Sequence, residues 1–187
     1  MSALRVQAVA GAISAHLFEN SSVGLTRNLF WSVTLDCKPF LWNDEEWECS
    51  FSTEWLTWPV REWRHLHGQS IGSAENPELV ESSFYLAQHH PLKLASLSLF
   101  RIDGTPRFNV AVDAMLDLEG FDELDGVDIP IVLRCEAEFT GLVVVPDNLE
   151  PAPKTPQEAS AVLERFIDLG CFSAPHWDDF RFVFARR

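Results

Sequence analysis

The chain has 187 residues, 47% hydrophobic and 12% aromatic. That is enough for a single domain, 1–187, which buries roughly 70% of its unfolded surface without disulfide or metal staples. Twenty-eight acidic residues against 14 Lys and Arg give a net charge of −14, which disfavours nucleic acid and anionic membrane and favours a basic partner.

The run over 6–15 is diluted by Gln7, Gly11 and Ser14 and lacks the apolar centre of a secretory leader. No stretch approaches the ~18 apolar residues of a membrane span. Residues 29–38 alternate, with Leu29, Trp31, Val33, Leu35 and Cys37 on one side and Phe30, Ser32, Thr34, Asp36 and Lys38 on the other. After a turn at Asn43-Asp44 the pattern returns, with Trp47, Cys49, Phe51, Thr53 and Trp55 inward. Period 2 over nine residues predicts two strands that pair as an antiparallel hairpin with a long connection.

Pro59, Val60, Trp63, Leu66 and His67 recur at helical spacing, with Gly68 where a C-terminal cap belongs. They predict a short helix near 58–67. A loop over 69–77 follows. His90-Pro91 predicts a break, because proline removes a ladder donor. Asp103-Gly104 predicts the turn between strands 92–102 and 108–118. A further strand starts at Ile131, with a bulge or bend at Gly141.

Thr155, Pro156 and Glu158 form a capping-box start to a helix carrying Ala159, Val162, Leu163, Phe166 and Ile167 on one stripe, stopped at Gly170. Phe180, Phe182 and Phe184 alternate in a last strand. The sum is a mostly β (α+β) domain: an antiparallel curved sheet or two-layer sandwich of about seven or eight strands, with one C-terminal helix packed on it.

Two acidic stretches stand out. One holds Asp44, Glu45, Glu46, Glu48 and Glu54 with no basic residue between Lys38 and Arg61. The other holds Asp113, Asp117, Glu119, Asp122, Glu123, Asp125 and Asp128 between Arg107 and Arg134. Hard cations want several carboxylate oxygens, but the spacing does not match a twelve-residue calcium loop. A docking surface for a basic protein is the alternative to a merely solvated face.

His65 with His67, His89 with His90, and His176 beside Asp178 and Asp179 lack zinc-site geometry on the predicted elements. Gly-x-Ser-x-Gly and phosphate-cradling glycine loops are absent from the sequence. Cys37, Cys49, Cys135 and Cys171 are widely spaced, three of them on or beside apolar faces, and read as reduced, inert thiols that suit the cytoplasm, with one or two disulfides as the alternative that an even count leaves open. Trp42, Trp47, Trp55, Trp58 and Trp63 read mainly as core, with Trp42 and Trp58, at element ends, as the candidates for exposure.

These observations favour a non-enzymatic acidic binding module without cofactor or metal, neutralising a basic protein such as a toxin or nuclease in the manner of a bacterial immunity or inhibitor protein. The candidate contacts are Asp44, Glu45, Glu46, Glu48, Asp117, Glu119, Asp122, Glu123 and Asp125, with Trp42 as an anchor. The alternatives are a β-rich domain with a Trp/Phe-lined pocket for a small ligand and a metal-dependent hydrolase using carboxylates and His176.

Overall fold

The computed structural model describes residues 6–42, 44–72, 80–118 and 128–187. Its strands are β1 (Ala8–Asn20), β2 (Leu25–Cys37), β3 (Phe40–Trp42), β4 (Glu45–Trp47), β5 (Cys49–Leu56), β6 (Ser70–Gly72), β7 (Glu81–Leu86), β8 (Gln88–Arg101), β9 (Arg107–Asp117), β10 (Asp128–Val144), β11 (His176–Asp178) and β12 (Arg181–Phe184). One helix, α1 (Pro156–Leu163), follows β10.

Neither a curved open sheet nor a sandwich forms. The strands pair in the order β1-β2-β5-β7-β8-β9-β10, and β10 then runs parallel to β1, with Ala12 opposite Glu138 and Leu17 opposite Val144. This contact closes a seven-stranded barrel and leaves neither strand of the closing pair with a bare edge. Alternation along a strand says which side faces the core but not which distant strand completes the ring, so the closure was not readable from periodicity.

The predicted 29–38 and 47–55 strands do pair, Val33 with Thr53 and Leu35 with Phe51. The Asp103-Gly104 turn joins β8 and β9, with Gly104 at φ 72. At Pro91 the expected break does not occur, because β8 passes through it and pairs with β9 only from Leu92 onward. The chain reverses instead at Ala87 (φ 60).

Inward side chains fill the barrel: Trp31, Phe51, Phe84, Phe108 and Phe139 are all essentially fully buried. One mouth is plugged. Trp63 stacks on Phe139 at 5.3 Å and 11°, and Arg64 and Arg101 lie over the same indole at 4.9 and 5.2 Å. Leu66, Ala159, Leu163 and Ile167 are buried in the same core cluster.

The predicted 58–67 helix reduces to a 3-10 turn, Trp63–Leu66, whose N-cap Glu62 makes no side-chain capping bond. Trp58, a candidate for exposure, is buried. The C-terminal helix starts as expected, Thr155 Oγ1 accepting from the Glu158 N–H at 3.2 Å, but ends at Leu163 rather than near Gly170. Turns then carry Ile167 into the core. Phe180, expected in the last strand, sits exposed at the β11–β12 turn instead.

Candidate functional site

Opposite the plug, β2 ends at Cys37, β5 begins at Cys49, β7 ends at Leu86, β8 begins at Gln88, β9 ends at Asp117 and β10 begins at Asp128. The antiparallel registers make these six ends one mouth of the barrel. Both acidic stretches of the sequence are therefore attached to the same mouth.

Between β2 and β5 the chain folds back as a small separate hairpin, Trp42 opposite Glu45 and Phe40 opposite Trp47. Its two-residue turn includes Asp44 at φ 63, a left-handed conformation that Asp tolerates better than most residues. Asp44, Glu45, Glu46 and Glu48 are all exposed, and no ion pair involves them among the described residues. Trp47 and Phe40 turn back and pack partly buried against the core, which anchors the hairpin. The side chain of Trp42 lies outside the described residues, as do Glu119, Asp122, Glu123 and Asp125.

Asp117 is placed differently. It is half-buried, directly opposite Asp128 in the β9–β10 ladder, and its Oδ1 is shielded from solvent with no hydrogen bond among the described residues. Four other carboxylates, three along the β9–β10 wall and Asp128 at the mouth, are paired with cations. Asp113 meets Arg134 at 3.0 Å, Glu136 meets Arg107 at 3.3 Å, Glu138 meets Arg186 at 3.2 Å and Asp128 meets Lys93 at 3.0 Å. The four hairpin carboxylates have no such cationic partner among the described residues.

The outer faces of β5, β7 and β8 form a groove of about 600 Å³. Ser52 and Ser83 share a hydrogen bond at 2.9 Å, and the Ser83 hydroxyl lies 3.2 Å from His89 Nδ1. Glu54 and Glu81 stand opposite each other in the β5–β7 ladder and line the same groove. Tyr85, 37% exposed and 5.3 Å from His89 between ring centroids, sits between groove and mouth. Neither Trp nor Phe lines this groove or the smaller surface grooves beside Glu19 and Arg61. His176 belongs to β11, at the end remote from the acidic mouth. Among the described residues no group of three or more His, Cys, Asp or Glu is arranged to hold a metal ion.

Two arrangements went unread in the sequence. Alternation places Trp55 inward, but β5 carries an extra residue against β2 between the pairs Val33–Thr53 and Trp31–Leu56. This bulge puts Trp55 at φ 62 and onto the outer face, edge-on to Phe18, Phe30 and His16 at 4.9, 5.2 and 5.3 Å. Desolvation in that cluster lowers the His16 pKa. No local sequence signal marks the bulge. The second is the apposition of Cys37 and Cys49, which the two period-2 patterns contain once the strands are paired.

Compared with known proteins, the chain matches no family model, no curated protein and no solved structure. Among the described residues no helix is long and apolar enough to cross a membrane.

Proposed function

We propose that this chain is a non-enzymatic acidic binding module that docks a basic protein, an immunity- or inhibitor-like protein acting on a toxin or nuclease. The observation that carries the reading is the exposed hairpin bearing Asp44, Glu45, Glu46 and Glu48, unpaired among the described residues, while Asp113, Glu136 and Glu138 of the β9–β10 wall are each paired with an arginine.

The physical logic is steering followed by anchoring. Solvated carboxylates on a protruding hairpin attract a basic surface over roughly a Debye length, about 8–10 Å at physiological salt. Residence time comes from aromatic surface that loses water on contact. Tyr85, exposed beside the mouth, would serve that role, and the groove between Glu54 and Glu81 on the same β5–β7 face would take a Lys or Arg of the partner. Asp117, Glu119, Asp122, Glu123 and Asp125 extend the charge of this mouth along the sequence. The free thiols at Cys37, Cys49, Cys135 and Cys171 support a reducing, cytoplasmic setting.

The test is capture from host lysate with two baits, the wild type and the quadruple variant Asp44→Asn, Glu45→Gln, Glu46→Gln, Glu48→Gln. The expected result is a basic protein retained by the wild type, lost from the variant and eluted by salt. Equal retention on both baits, or retention indifferent to salt, overturns the proposal.

A further inference from the structure

Cys37 closes β2 and Cys49 opens β5, and the last recorded pair of their antiparallel ladder is Asp36 with Ser50. The next position inward of the hairpin is Cys37 opposite Cys49. Alternation turns both side chains the same way, following the inward pair Leu35–Phe51, and both cysteines are buried at the acidic mouth. Directly opposed residues of an antiparallel pair have Cα atoms about 4.5–5.5 Å apart, inside the ~4.4–6.8 Å span of a disulfide. Both sulfurs are free. The residues between them are the whole acidic hairpin and its two connections.

We infer that Cys37 and Cys49 are a modification site, a thiol pair that hydrogen peroxide converts into a disulfide across the root of the hairpin. The Cys49 thiolate attacks one peroxide oxygen, the O–O bond breaks, and hydroxide leaves with Cys49 as a sulfenic acid. Cys37 then attacks the Cys49 sulfur, the S–O bond breaks, and the Cys37 proton leaves with that oxygen as water. The net change is two thiols and one peroxide to one disulfide and two waters.

The order of attack follows from the local bonding. The neighbouring Cys37 thiol holds the Cys49 pKa down, while Cys49 and burial push the Cys37 pKa up. The Cys49 thiol donates to the Lys38 carbonyl at 3.2 Å, and burial and the Glu48 charge oppose its ionisation. Both thiols are buried, so the reaction should be slow and confined to a small oxidant.

Bond formation rests on the β2–β5 register alone, and only its consequence for a partner rests on the proposed docking function. A clamped root removes opening freedom from the hairpin, so the 38–48 backbone should exchange hydrogen more slowly in the oxidised form. The full reduced chain is treated with hydrogen peroxide, then examined by intact mass, non-reducing peptide mapping and hydrogen exchange. The expected result is loss of two hydrogens, a 37–49 cross-link reversed by dithiothreitol, and slower exchange across 38–48. Cys37→Ser and Cys49→Ser should each abolish the cross-link.

Oxygen added without a cross-link, no change in mass, or a cross-link through Cys135 or Cys171 instead overturns the inference. So does unchanged exchange in the cross-linked protein. The wild-type map decides the bond even if a serine variant fails to fold.

Discussion

Asp113 and Arg134 meet diagonally across β9 and β10, 3.0 Å between carboxylate and guanidinium, and Ser96 Oγ donates to the same carboxylate at 3.0 Å. The pair illustrates how the barrel wall spends its few cations on its own carboxylates. Both side chains are about half exposed, so solvent screens the interaction. Asp113→Asn should cost less than about 1 kcal/mol in urea unfolding and leave partner association unchanged. A large loss of association in this variant would relocate the docking surface to the wall.

The left-handed Trp55 inverts an ordinary rule. Glycine in a strand is normally less stable than alanine, but at φ 62 an alanine keeps the backbone strain and a glycine releases it. Both variants lose the ring contacts with His16, Phe18 and Phe30. Trp55→Ala should therefore be the less stable of the two by about 1 kcal/mol, measured by equilibrium denaturation. The reverse order would mean that the bulge relaxes when the indole is removed.

His16 makes part of the stability depend on pH. Its folded-state pKa lies below the ordinary 6.5 because burial penalises the imidazolium, so on acidification the unfolded chain takes up this proton first. The contribution is intact above 6.5 and is lost as pH falls from there through the folded-state value. His16→Phe should flatten the decline between pH 7 and pH 5 relative to wild type, read from melting temperatures across that range. Parallel curves for the two proteins would remove His16 as the cause.

Gly141 is held at φ 134 with the Phe184 carbonyl oxygen only 2.5 Å from where a Cβ would stand. Gly104, at φ 72, has nothing within 4 Å of that point. Gly141→Ala should thus cost about 2–4 kcal/mol and loosen β12 from β10, while Gly104→Ala costs about 1–2 kcal/mol from backbone strain alone. Urea unfolding of the two variants side by side checks the difference.

Much of the wall was legible because an amphipathic strand writes its two faces into alternate residues, as β9 does with Phe108, Val110, Val112, Ala114 and Leu116. The pairing of β2 with β5 was also legible, but its register and the facing cysteines were not, because alternation does not say which residues of two strands stand opposite. Barrel closure was not, because the pairing of Ala12 with Glu138 depends on the shear of all seven strands rather than on either segment. Nor was the shortened α1: its apolar stripe continues to Phe166 and Ile167, but turns deliver those side chains to the core as well as a helix could. For the site, charge density located Asp44, Glu45, Glu46 and Glu48. Only three-dimensional pairing could separate them from Asp113, Glu136 and Glu138, whose arginines come from strands beside them or from the C-terminus.

The most direct test of the acidic mouth is the association rate constant of a captured basic partner, followed by stopped flow from low to high salt. Wild type should associate at least about tenfold faster at low ionic strength than at high. Neutralising Asp44, Glu45, Glu46 and Glu48 together should remove most of that slope while leaving the melting temperature nearly unchanged. An association rate that ignores salt, or a slope that survives in the neutralised hairpin, would contradict electrostatic docking at this mouth.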